Sequence, residues 1–263
     1  MSGEVTVEVS GGIAHLTLNR PDKRNALDRA TIGALSALLE RCREDSTVRM
    51  LQLSGAGNVF CAGADLGEMQ AQAHAPQHEN LAHAEKLAQL LGTLDAFPKP
   101  TIARINGDGY GGALGLIAAC DIAIVANHAK FAFTEVRLGI IPAVVSPFVL
   151  SKISESAARR YFLTAETLNA ATLKEVGLAH EVVQADSLDA ACNRISRAIL
   201  KGAPEALREA KALIRDVVHA REELRAQTAL QMAARLARLR VKGEAQEGFS
   251  AFFEKRKPNW RTD

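Results

Sequence analysis

The chain has 263 residues, 48% of them hydrophobic and 24% charged, which is the balance of an ordinary globular protein and excludes a disordered one. With 32 basic residues against 30 acidic ones the formal charge is +2, which argues against a nucleic-acid partner or a charged membrane surface. No apolar run reaches membrane-spanning length, Met1-Ser2-Gly3-Glu4 carries no export-signal pattern, and Cys42, Cys61, Cys120 and Cys192 form no CxxC pair; a cytoplasmic protein with reduced thiols is expected.

Residues 5–9 and 13–18 read as strands joined through Ser10-Gly11-Gly12, a hairpin signal. Asp28 is placed to cap a helix running to about residue 44, with Ile32, Leu35, Leu38 and Leu39 on one face. Residues 48–53 form a short apolar strand that ends in a first loop over 54–65. A helix over about 80–94 stops at Phe97-Pro98-Lys99-Pro100. Residues 101–105 make a β-branched strand leading into a second, glycine-rich loop, followed by a short helix at 112–119 and a strand at 121–126. After Pro142 the chain turns helical at 154–163, 170–176, 187–200, 204–218 and 221–242, with one strand at 180–183. This order predicts a layered α/β core at residues 1–200. The helical region at 201–263 is expected to pack on the core or on a neighbouring subunit.

Three segments carry the chemistry: Phe60-Cys61-Ala62-Gly63-Ala64-Asp65-Leu66, Ile105-Asn106-Gly107-Asp108-Gly109-Tyr110-Gly111-Gly112-Ala113-Leu114-Gly115, and Thr134-Glu135-Val136-Arg137-Leu138-Gly139-Ile140-Ile141-Pro142. Two glycine/alanine loops can each aim a backbone N–H at one point, where paired donors stabilise charge on a carbonyl oxygen. Glu135 is then the one evident acid/base group, and the set reads as proton chemistry beside a thioester or similar acyl group. Residues 107–112 also match GxGxxG. The next strand lacks the ribose-binding carboxylate and the intervening helix is too short for the usual crossover. Beside that disfavoured dinucleotide reading stand packing glycines and an N–H-presenting turn at a helix N-terminus, the last being favoured. Asp65 reads as a helix cap, Cys61 and Cys120 as buried packing, His128 as a surface residue, and Arg137 as a solvated or carboxylate-pairing cation. No serine-hydrolase elbow, phosphate loop or zinc or calcium signature occurs, so no metal is expected.

Over nearly its whole length, from Leu18-Asn19-Arg20-Pro21 to Phe252-Phe253-Glu254-Lys255-Arg256-Lys257, the sequence resembles the crotonase (enoyl-CoA hydratase/isomerase) superfamily. The resemblance implies a spiral of ββα units, a helical C-terminal trimerisation region, a homotrimer or dimer of trimers, and a coenzyme A thioester as substrate with no further cofactor. By position it makes Ala64 and Gly112 the oxyanion donors. It sets Lys23, Arg24, Ala26, Ala62, Asp65 and Leu66 along the CoA, and brings Phe252 and Lys255 from a neighbouring subunit. Glu135 matches the second of the two glutamates typical of the family's hydratases, whereas the first is replaced by Gly115. One base suits a Δ3,Δ2-enoyl-CoA isomerase. Against that, Gly-Leu-Ile-Ala-Ala-Cys-Asp at 115–121, Ser146-Pro147-Phe148-Val149 and the stretch 158–166 are similar to bacterial methylglutaconyl-CoA hydratase-like members. The expected activity is therefore hydration of an enoyl-CoA, with Gly115 leaving room beside Glu135 for water and a branched or carboxylated acyl group. The isomerase, and a CoA-ester-binding protein with little turnover, are the alternatives.

Overall fold

The computed structural model describes residues 3–218, 243–244, 247, 250–251 and 254–260. The helix expected over 221–242, and Phe252, lie outside the described residues. The chain divides into two compact units, one of residues 1–97 and 101–194, the other of residues 98–100 and 195–263.

The first unit begins with the expected hairpin, β1 (Val5–Ser10) and β2 (Ile13–Leu18), paired antiparallel. Asp28 caps α1 (Arg29–Glu44) by accepting the Thr31 N–H at 2.7 Å, and Ile32, Leu35, Leu38 and Leu39 of that helix are buried. Next come β3 (Met50–Gly55), β4 (Val59–Cys61), α2 (Leu66–His74) and α3 (Gln77–Asp95). The second turn comprises β5 (Thr101–Ile105), β6 (Asp108–Tyr110) and α4 (Gly112–Ala119). The third comprises β7 (Ile122–Ala126), β8 (Lys130–Ala132), a 3-10 turn at Glu135–Leu138, α5 (Ser146–Leu150) and α6 (Glu155–Thr164). The unit then runs through β9 (Leu168–Asn169), α7 (Ala170–Glu175) and β10 (Glu181–Val183) into α8 (Leu188–Leu200), within which the division falls. The second unit carries α9 (Pro204–Val218).

Pairing explains the architecture. A six-stranded sheet runs β1-β2-β3-β5-β7-β10, parallel from β2 onward, and a four-stranded sheet runs β4-β6-β8-β9. In each of three successive turns the first strand joins the large sheet and the second the small one, and helical structure follows. The result is the expected spiral of ββα units. β3, central in the large sheet, is buried along its full length, as parallel strands covered on both faces must be. Phe60, Phe97, Phe131 and Phe133 are fully buried in the core.

The two loops of the sequence reading are thus not loops throughout. Each holds a three-residue strand, β4 in the first and β6 in the second. Three residues are too few to show a period-2 pattern. Their consequence is large: β4, β6 and β8 pair side by side and parallel, so the segments leaving their carboxyl ends, 62–65, 111–112 and 134–135, emerge as neighbours. Sites in parallel sheets form at such strand ends.

Candidate active site

Backbone pairing isolates one N–H on the first segment. Leu27 forms a parallel bridge with Ala64: the Leu27 N–H donates to Gly63 O at 2.7 Å, and Asp65 N–H donates to Leu27 O at 3.1 Å. Ala62 N–H donates to Arg24 O at 2.9 Å. In a parallel bridge the middle residue's own N–H and C=O face the opposite way, so Ala64 N–H points away from the Leu27 edge, and Ala64 is exposed.

The second donor is Gly112, first residue of α4, whose N–H has no acceptor inside the helix. The chain reaches it through Gly111 at φ +51°, and Gly63 lies at φ +84°. Both conformations are strained for an L side chain. The segments touch: a Cβ at Gly63 would fall 2.5 Å from Tyr110 O and 3.7 Å from Gly112 N. Glycine is required there for closeness as well as for φ. Two N–H groups at adjoining strand ends can polarise one carbonyl.

Glu135 completes the site. A Cβ at Gly111 would lie 3.3 Å from Glu135 Oε1, which sets the carboxylate against the turn that presents Gly112. It opens the 3-10 turn closed by Gly139 at φ +73°. The side chain is half-buried, and Oε2 is buried with no hydrogen-bond donor among the described residues. Burial pushes its pKa above the ordinary carboxylate value, only partly offset by a hydrogen bond from its own backbone N–H. A carboxyl raised in this way is a stronger base than an ordinary carboxylate, which suits a group that must both take and return a proton.

The expectation of space at Gly115 fails. A Cβ there would meet Val145 Cγ1 at 2.7 Å and Leu91 Cδ1 at 2.8 Å. Apolar side chains of α3 and of the segment before α5 occupy the place a longer residue would need, so Gly115 is a packing glycine in an apolar wall. Leu87, one turn before Leu91, comes within 3.9 Å of a Cβ built on Gly112, so one face of α3 walls the site. One more turn back stands His83, whose Nδ1 is 3.6 Å from Glu68 Oε2. This polar pair in the wall was missed by sequence reading, although His83, Leu87 and Leu91 at spacings of four were a readable signal.

The remaining expected residues divide. Lys23, Arg24 and Leu66 are exposed and Ala62 is partly so, available to a ligand, with Leu66 at 81% exposure. Ala26 is buried, and its carbonyl accepts from Arg20 Nη1 at 2.8 Å. Asp65 is occupied: Oδ1 accepts the Gly67 N–H at 2.8 Å and Oδ2 meets Arg20 Nη2 at 3.1 Å. That is the cap the sequence suggested; desolvation alone would raise its carboxyl, but the hydrogen bonds from Gly67 and Glu68 and the Arg20 guanidinium together hold it below its usual value. Lys255 is exposed in the second unit. Cys61 is buried, its thiol pushed up to about 12 by burial, and Cys120 is buried too; His128 and Arg137 are exposed. Among the described residues no cluster of His, Cys, Asp and Glu could hold a metal ion, and no helix is long and apolar enough to cross a membrane.

Known proteins share both fold and sequence. The family model described as "Enoyl-CoA hydratase/isomerase" matches residues 8–263. The 2,3-dehydroadipyl-CoA hydratase of Escherichia coli is 30% identical over 98% of this chain and 98% of its own. A solved enoyl-CoA hydratase of Shewanella pealeana superposes with a TM-score of 0.92 at 41% identity, covering 97% of this chain and 95% of that one. Pseudomonas aeruginosa AtuE superposes at 0.93 with 33% identity, covering 97% and 98%. With this sequence match, this fold and an acid/base group set beside paired N–H donors, the chain belongs to the enoyl-CoA hydratase/isomerase family of the crotonase superfamily.

Proposed function

We propose that the protein is a hydro-lyase that adds water across the C2=C3 bond of an enoyl-CoA thioester, with Glu135 as its single acid/base group. The observation that carries this reading is the half-buried Glu135 carboxyl, one oxygen unpartnered among the described residues, set against the Gly111–Gly112 turn. Glu135 takes a proton from water as the oxygen bonds to C3. The C2=C3 electron pair moves toward the thioester, whose oxygen is held as an enolate by the Ala64 and Gly112 N–H groups. Glu135 then returns the proton to C2, so water is added whole and the enzyme is unchanged. General acid–base catalysis supplies about 10²–10⁴-fold and each oxyanion donor about 10²–10³-fold, so one glutamate is sufficient.

The acyl group we infer is branched or carboxylated, methylglutaconyl-CoA being one such ester. In support, the Escherichia coli relative is named for the CoA ester of a dicarboxylic acid, Arg137 is exposed in the same turn as Glu135, and a polar pair, Glu68 and His83, interrupts the apolar wall. We also infer a cytoplasmic homotrimer or dimer of trimers. On α9, Ile214, Val217 and Val218 are 65%, 48% and 70% exposed, an apolar stripe suited to another copy, and Phe252 and Lys255 would then reach the CoA across the boundary. Sedimentation as a monomer at micromolar concentration would remove that part.

A second reading has its own observation. Leu91 and Val145 fill the space at Gly115, and an apolar wall that excludes water suits a Δ3,Δ2-enoyl-CoA isomerase, in which one base carries a proton between C2 and C4. Turnover of an enoyl-CoA panel in H₂¹⁸O decides. Label at C3 establishes hydration, a shifted double bond without label establishes isomerisation, and binding without turnover leaves a CoA-ester-binding protein.

A further inference from the structure

Arg20 stands outside the reacting groups, yet the bonds it makes converge on the segment that presents Ala64. Its Nη1 donates to Ala26 O at 2.8 Å and lies 2.9 Å from Asp28 Oδ2, while Nη2 reaches Asp65 Oδ2 at 3.1 Å. The three side chains are only 15–18% exposed. Each carboxylate divides its oxygens the same way. Asp28 gives Oδ1 to the first turn of α1, Asp65 gives Oδ1 to the first turn of α2, and both give Oδ2 to Arg20. One planar cation therefore joins two helix caps, a geometry that a fork of fixed donors suits and an ammonium does not.

The joined caps flank the bridge that orients the oxyanion donor. Asp28 follows Leu27 and Asp65 follows Ala64, and Leu27 and Ala64 are the bridged pair. The turn holding Arg20 is itself fixed from behind. Asn25, buried at φ +56°, accepts from Arg20 N–H and donates to Ala56 O and Val59 O at 2.9 and 2.8 Å. The chain that carries Lys23 and Arg24 is thus bonded, through Arg20, to the segment that carries Ala64. We propose that Arg20 is a positioning residue for catalysis: by clamping Asp28 to Asp65 it fixes the Ala64 N–H on the thioester oxygen and couples CoA recognition at residues 23–24 to carbonyl polarisation. A misplacement of about 1 Å at a reacting centre can cost on the order of 10²-fold, so the clamp has something to protect.

This inference rests on the reading of Ala64 and Gly112 as oxyanion donors, and the test separates the two. A saturated acyl-CoA is bound to the protein and the infrared stretch of its thioester C=O is compared with that of the free ester, alongside kcat and KM for an enoyl-CoA substrate. In the native protein the stretch should fall to lower frequency; no shift there defeats the oxyanion reading itself. Arg20→Lys keeps the charge but not the fork, and Asp65→Asn keeps a capping oxygen but not the ion pair. Both should lower kcat by about 10–100-fold with KM changed less than about threefold, and both should lose most of the carbonyl shift. If Arg20→Lys does not fold, Asp65→Asn carries the test alone, because it leaves Arg20 on Asp28 and Ala26. A native carbonyl shift that persists at full size in a folded variant, with native kcat, overturns the proposal.

Discussion

The two ends of the site are made in different ways. At the carbonyl end, on the proposed function, everything that would face the substrate is backbone. The Ala64 and Gly112 N–H groups are set by a strand bridge, two left-handed glycines and a helix start, and the neighbouring N–H groups of residues 62 and 65 are engaged elsewhere. At the proton end one side chain, Glu135, hangs from a 3-10 turn. The residues just after it, Leu138, Ile140 and Ile141, are 56%, 56% and 70% exposed. The carbonyl end is therefore inherited with the fold and indifferent to side-chain identity apart from glycine. The proton end is a matter of one or two side chains, which is where a shared scaffold can change its reaction.

The contrast breaks first at Gly63. A methyl there meets Tyr110 O at 2.5 Å, and φ is +84°. Gly63→Ala should therefore cost about 3–5 kcal/mol of stability, more than left-handed strain alone, because the second strand end must also retreat. Denaturant unfolding measures it, and a loss below about 1 kcal/mol would mean that the two strand ends are not rigidly apposed.

Glu135→Gln strikes the other end. It keeps the shape and removes the base, so turnover should fall by on the order of 10²-fold or more while CoA-ester binding and fold survive. Steady-state kinetics beside a binding titration test this. Near-native turnover would move the chemistry to another group, Asp108 being the first to examine.

Gly115→Ala probes the wall between the ends. Overpacking against Val145 and Leu91 should cost about 1–3 kcal/mol, and Val145→Ala in the same chain should recover part of it, since touching residues are not additive. Additive losses in thermal or denaturant unfolding would contradict the contact.

How much of this was legible follows from where each signal lies. Local chemistry spoke plainly: Asp28 announced the cap of α1, α4 ran over the stretch its glycine and alanines suggested, and Pro204 opened α9. The strands β4, β6 and β8 did not, because three residues carry no periodicity, and yet they bring the site segments together. The missing space at Gly115 was illegible for a second reason. Leu91 and Val145 come from 24 residues before and 30 after, and nothing near Gly115 in sequence points to either. The Arg20–Asp65 bond spans 45 residues and was hidden in the same way.

The smallest expected effect joins the two ends through pH. Burial raises the Glu135 pKa above its ordinary value of 4.5. Between the unfolded and the folded pKa the native state therefore holds a proton that the unfolded chain has released. Stability contributed by this group is full below the unfolded value and is lost as pH rises through the folded one. Catalysis runs the opposite way, because the base works only when ionised, so kcat/KM should climb across that same window. Glu135→Gln cannot ionise and should lack this stability loss. It should therefore be more stable than the native protein at pH 7.5 and no more stable at pH 4. Other titrating groups, including the downshifted Asp65, are common to both proteins and cancel in the difference. Calorimetric Tm values at the two pH values supply the check. A Tm difference that stays constant across the range would show that Glu135 is as well solvated in the fold as in the unfolded chain, which the buried Oε2 does not permit.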